Sequence, residues 1–160
     1  MSTIKGQIWS FDFMLGIFIF VGVLIVFSNS VSNIKPDITE NLAMQGQYIS
    51  DHLVNSGIPN NWTIDDVDFI GLTTEKRLDS NKVTNFNNIV TTNYFNVKKI
   101  LGVRSDFYVY FSDANHTVID INGISSIGKD YTIENIDNLV KIERFLIYQG
   151  SPIRMVVLVW

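Results

Sequence analysis

An apolar run from Ile8 to Phe27 constrains this chain more than any other stretch. Its roughly 20 residues, at about 1.5 Å of helical rise each, match the roughly 30 Å hydrocarbon core of a bilayer. Trp9, Phe11, Phe13, Phe18, Phe20 and Phe27 are spread among Leu, Ile, Val and Met, and the polar interruptions are Ser10 and one charge, Asp12. A carboxylate at that depth is costly unless it is paired or reaches the interface, so Asp12 is expected to be functional. Gly16 and Gly22 inside the run are expected at close helix packing. Lys5 precedes the run and no basic cluster follows it, which orients the N-terminus inside and the remainder outside.

Three processing outcomes fit such a run. A conventional secretory signal would use Ser28 and Ser30 as the small residues before its cut, although the run exceeds the usual 7–15 apolar residues. A single-pass anchor would keep the segment uncut. The third outcome rests on Lys5-Gly6-Gln7, which abuts the run directly. This basic head, the Gly-Gln step and the aromatic-rich helix with an early acid resemble archaeal type IV pilin-like proteins with a class III signal peptide. The resemblance implies that a membrane prepilin peptidase cuts between Gly6 and Gln7 and that the apolar helix is retained. It also implies that the early acid serves subunit assembly, a role for which Asp12 is the candidate. The family usually carries Glu as its fifth mature residue. A cut after Gly6 makes Phe11 fifth and Asp12 sixth, so either Asp12 acts from one position later or the cut is displaced.

At 160 residues the chain accommodates one domain and a membrane helix. The expected organisation is a leader over 1–6, a hydrophobic transmembrane or filament-core helix over 7–35, and an extracellular head over 36–160. The net charge is −4 and no basic stretch tracks along the sequence, which argues against nucleic acid as a partner. There is no cysteine, so disulfides and thiolate zinc sites are excluded.

Beyond the run, Val31, Ile34, Ile38, Leu42, Ile49 and Leu53 recur at multiples of three and four. They predict a second, amphipathic helical half that ends at Asn55-Ser56-Gly57 and Pro59, with a kink or local break near Ser32 to Lys35 imposed by Pro36 and Asp37 in the first turn after it. The stretch 60–80 reads as loop. Asp65, Asp66 and Asp68 within it lack the spacing of an EF-hand and read as a solvated acidic loop rather than a calcium site. Asn61-Trp62-Thr63 and Asn115-His116-Thr117 are glycosylation sequons, which makes Asn61 and Asn115 candidate acceptors on an outward domain.

The stretch 81–103 predicts short amphipathic helices stopped by Gly102. Phe107 to Phe111 alternates like a strand, Thr117 to Ile121 is its expected partner across a turn, and 122–130 reads as loop. Leu139 to Tyr148 and Ile153 to Trp160 predict a hairpin around Gln149-Gly150-Ser151-Pro152. In its first strand Lys141, Glu143 and Tyr148 are expected to face away from Val140, Ile142 and Phe145. The whole is an α+β chain: a long kinked N-terminal helix packed on a C-terminal antiparallel sheet of about four strands, with Ile38, Leu42, Ile49 and Leu53 covering the sheet. That order of elements is similar to type IV pilins.

Catalytic constellations are scarce. His52 beside Asp51 reads as a surface helix pair, and His116 falls in a turn; neither has a local metal-binding companion. Ser125 and Ser126 lack a nucleophile-elbow context, and Asp113 and Asp120 are explained by strand and turn positions as well as by a cation. The expectation is a non-enzyme without cofactor or metal. It would be a structural filament subunit, minor or adhesive, with the prepilin peptidase, other pilin subunits and membrane lipid as partners. The alternative is a membrane-tethered extracellular sensory or ligand-binding domain.

Overall fold

The computed structural model describes residues 4–32, 38–131 and 136–160, and side chains within 11–29, 38–131 and 136–160. The chain divides into two compact units, Met1–Pro36 and Asp37–Trp160. The described part of the first is one helix, α1 (Ile4–Ser32). Of the predicted kink region, Ser32 closes α1, and 33–36 lie outside the described residues.

The second unit, the head, is α+β. In chain order it contains α2 (Ile38–Leu53), β1 (Thr73–Thr74), β2 (Arg77–Leu78), α3 (Ser80–Ile100), β3 (Phe107–Ser112), β4 (Val118–Ile119), β5 (Ser126–Gly128), β6 (Val140–Tyr148) and β7 (Ser151–Val159). The seven strands form one sheet ordered β1-β2-β6-β7-β3-β4, with β5 also paired to β3. The sheet is mixed rather than antiparallel, because β2 runs parallel to β6 through Arg77 and Ile147. A helix and three strands separate those two segments in sequence, so no hairpin dictates their direction.

Period-two alternation decides the two faces of the sheet. Phe107, Val109 and Phe111 of β3 and Met155, Val157 and Val159 of β7 are fully buried on one face. Both helices lie on that face. Phe86 of α3 stacks over Phe107 at 6.3 Å, and a Cβ placed on Gly46 of α2 would meet Ile142 at 3.1 Å and Val159 at 3.3 Å. Leu42, Ile49 and Leu53 carry the expected stripe into the core, but Ile38 is 65 % exposed. Ile38 is the first residue of α2.

The β6–β7 hairpin turns on Gln149 and Gly150 alone, at φ 48° and 82°, so Ser151 and Pro152 belong to the strand rather than the turn. Strand β6 also corrects the expected facing of its side chains. Ile142 and Arg144 face α2, whereas Phe145 lies with Lys141 and Glu143 on the other face and is 73 % exposed. Arg144 occupies an inward position because its guanidinium donates to Ser50 Oγ at 3.1 Å and to Asp51 at 2.6 Å. Within 122–130, expected as loop, β5 pairs Tyr108 with Gly128 and Tyr110 with Ser126.

Helix α3 opens on Asp79, whose carboxylate accepts from the Asn81 and Lys82 amides, and closes at Gly102 with φ 66°. It breaks at Asn93, where φ −151° and ψ 74° leave the helical region and the Asn93 side chain caps the second half through the Asn96 amide. Short helices in the plural are therefore what the stretch forms. Lys82, only 4 % exposed, donates from Nζ to Ser56 O and Thr73 O, both at 2.7 Å, and so ties α3 to the chain on either side of the 57–72 loop.

Candidate functional site

The residues that distinguish this chain lie on α1. From Phe11 to Asn29 it is 19 residues of mean hydropathy 2.5, none of it buried, and long enough to cross a membrane. A helix of that length spans about 28 Å. Apolar side chains circle it: Phe11, Phe13, Phe18, Phe20, Val26 and Phe27 are each more than 60 % exposed. A soluble helix hides one apolar face; this one is apolar on every face. Asp12 is the one charge between Phe11 and Asn29, and its side chain is exposed.

Two shallow grooves mark the helix. Asp12, Phe13, Gly16, Ile17 and Phe20 line the first, and Ile19, Gly22, Val23, Val26 and Phe27 the second. Each centres on a glycine at which an added Cβ would meet nothing. Six residues at about 100° each turn Gly22 about 240° from Gly16, so the notches open on different sides. The Asp12 carboxylate stands at the rim of the first. The helical backbone runs through Gly6 and Gln7, and the Gln7 side chain lies outside the described residues.

Asn61 and Asn115 are both exposed and both in turns. Thr63 of the first sequon donates its hydroxyl to Asp66 at 2.8 Å and its amide at 2.5 Å, and these bonds hold the Asp66 carboxyl below its ordinary range. Asp66 thus organises the sequon turn. The second sequon is built in the same way, with Asp113 accepting from the amides of Asn115 and Thr117 at 2.8 and 2.9 Å. Among the described residues no group of three or more His, Cys, Asp or Glu is placed to hold a metal ion.

The histidines separate. His116 is exposed at φ 64°, and a ring nitrogen lies 2.7 Å from Arg154. His52 is not the surface residue its neighbour Asp51 led us to expect. It is 8 % exposed, stacked on Phe69 at 3.9 Å and set against Tyr48 at 4.4 Å, and its Nδ1 has no hydrogen-bond partner among the described residues. Burial lowers its pKa from the ordinary 6.5, and the Asp51 charge opposes this in part. Below that pH the unfolded chain takes up a proton that the folded ring resists, so stability is full above 6.5 and is lost as pH falls through the lower folded value. His52→Phe should therefore lose less of its thermal midpoint than the parent between pH 7.5 and 5. Equal losses in calorimetry would refute a buried neutral His52.

A polar cluster that the sequence pattern did not single out joins α3 to β3 and β5. Asp106 accepts from Lys98 at 2.8 Å and Lys129 at 2.5 Å, and Tyr94 accepts the Phe107 amide at 2.9 Å. Burial raises the Asp106 pKa, and the two lysines outweigh it and leave the carboxyl below its usual range. Burial also raises the Tyr94 pKa, so its phenol stays protonated. Every member of this cluster bonds another, which describes a brace. On the opposite face of the sheet, Tyr110, Tyr131, Ile136, Leu139, Lys141 and Leu158 line a shallow groove, and Tyr131 bridges Tyr108 and Trp160 at ring distances of 5.2 and 5.8 Å.

No family model matches the sequence, and neither the curated proteins nor the solved structures contain a match to it.

Proposed function

We propose that the chain is a subunit of an archaeal type IV pilus-like surface filament, held in the membrane by α1 before assembly and carrying its head outside. The observation that carries this reading is an α1 apolar on all sides with one early acid, Asp12, beside a glycine notch. A tether needs the apolar length alone. A filament core, made of many such helices, also uses packing on several sides and an acid that answers a buried amine.

In this reading a prepilin peptidase cuts between Gly6 and Gln7 and leaves the Gln7 amine as the new terminus. Asp12 of a neighbouring subunit neutralises that amine where helices exclude water. Asn61 and Asn115, exposed in turns of the head, carry surface glycan, and the aromatic groove of the outer sheet face suits an adhesive subunit.

N-terminal sequencing of the membrane-extracted protein tests it. Gln7 should be the first residue, and Gly6→Val should stop processing by setting a branched side chain in the peptidase's small-residue subsite. Intact mass of the same material should exceed the bare polypeptide by glycan. A terminus at Val31, or a retained Met1, would replace the filament subunit with a secreted or simply tethered domain.

A further inference from the structure

Among the described residues the outer edge of β6 is open, and its sequence is complementary to itself. Trp160 and Asp106 exchange both backbone hydrogen bonds, at 3.1 and 3.0 Å, so even-numbered residues of β7 bond toward β3 and odd-numbered ones toward β6. Val140 pairs with Val159 and Ile142 with Val157, which commits the even residues of β6 to β7. The N–H and C=O groups of Lys141, Glu143 and Phe145 therefore point out of the sheet. Strand β2 meets that edge only at Ile147, and among the described residues no other strand covers it. The side chains of these residues share the face opposite α2, with Phe145 73 % and the preceding Leu139 42 % exposed.

We infer that this edge pairs with the same edge of a second copy, antiparallel and centred on Ile142, to make one sheet continuous through two heads. Charge selects the register. Centred on Ile142, Lys141 lies opposite the second copy's Glu143, Glu143 opposite its Lys141, and Leu139 opposite its Phe145. Centred on Lys141 the pairing sets lysine against lysine, and centred on Glu143 glutamate against glutamate, both unfavourable at directly opposed positions. Centred on Arg144 it requires Ile147, which β2 already holds. The 2.7 Å Lys141–Glu143 ion pair within one copy then becomes half of an alternating square of four charges. The exposed Phe145 and Leu139 close the square at both ends. This pairing concerns the head alone and stands or falls independently of the filament reading.

The test uses two differently tagged full-length copies co-expressed in membranes, one Lys141→Cys and the other Glu143→Cys, in a chain without native cysteine. Opposed positions of an antiparallel pair lie within disulfide reach, whereas diagonal ones are about 7–8 Å apart. The mixed pair should cross-link about tenfold more than either cysteine variant with itself. Adding Phe145→Pro, which deletes an N–H directed at the second copy and not at β7, should abolish the cross-link. Phe145→Asp, which keeps the backbone donor and opposes a charge to Leu139, should weaken it. Equal cross-linking in the single-variant controls, none in the mixture, or indifference to both Phe145 substitutions would overturn the inference.

Discussion

Asp12→Ala should leave the protein in the membrane and empty the filament fraction. In bilayer terms the substitution removes the single carboxylate from an otherwise apolar span, so insertion is unchanged or improved. In the proposed filament it would remove one partner of the buried charge pair between Asp12 and the Gln7 amine. Leaving the Gln7 amine uncompensated among packed helices costs about 3–5 kcal/mol per subunit, enough to reduce incorporation by a factor of a hundred or more, at about 1.4 kcal/mol for each tenfold. Asp12 stands one position beyond the usual acid of pilin-like helices, and one residue turns it about 100° around the axis. Asp12→Glu, with a longer reach from the same position, should keep most assembly. The comparison is between sheared extracellular filaments and the membrane fraction for each variant. Normal filament yield from Asp12→Ala would remove the pairing and leave the tether as the better account.

Much of the head was legible from periodicity because periodicity is what burial acts upon. Leu42, Ile49 and Leu53 recur at helical spacing and enter the core; Phe107, Val109 and Phe111 alternate and do the same. The β6–β7 hairpin was legible from two long apolar stretches around a glycine turn. Failures came where a local signal was missing or a pairing was tertiary. The turn between β1 and β2 holds Glu75 and Lys76 at φ 50° and 64°, with neither Gly nor Asn to announce it. Strand β5 is three residues long, and its existence depends on β3 lying alongside. Apolarity groups Phe145 with Val140 and Ile142, but parity sets it with Lys141, and only Asp51 and Ser50 explain why Arg144 turns inward. His52 and Lys82 are buried through contacts with Phe69, Ser56 and Thr73, which no spacing rule on α2 or α3 contains.

On α1 the legibility was of another kind. Length, hydropathy and the lone acid were all in the sequence, and the structure adds that apolar side chains circle the helix and that each glycine opens a notch. In the proposed filament those additions would matter, because a glycine notch can admit a neighbour's backbone and the two notches open about 240° apart.

Gly71→Ala should be among the most damaging single-methyl changes in the head. An added Cβ at that position would lie 2.2 Å from Asn55 O and 2.3 Å from Gly57 N, both backbone atoms that no rotamer change can move. The close approach is where 69–73 runs beside the chain leaving α2. Leu72 N donates to Leu53 O at 2.9 Å, Thr73 N to Asn55 O at 3.1 Å, Thr73 Oγ1 to Val54 O at 2.9 Å, and the buried Trp62 Nε1 to Gly71 O at 2.8 Å. Separating the two segments enough to admit the methyl breaks or stretches several of these bonds at about 1 kcal/mol each. It also loosens Leu53, Trp62 and Leu72, all at 1 % exposure or less, around it. A total of about 3–5 kcal/mol follows, a large share of the roughly 5–15 kcal/mol that holds a domain folded. Gly123→Ala is the matched control. Gly123 sits at φ 79° in open space, so its methyl meets no atom within 4 Å and the substitution costs only the left-handed backbone penalty of about 1–2 kcal/mol. Thermal melts followed by circular dichroism should separate the two variants, with Gly71→Ala lower by on the order of 10 °C. If both fall by the same small amount, the segments at Asn55 and Gly71 do not approach closely, and the account of how the loop after α2 is fastened is wrong.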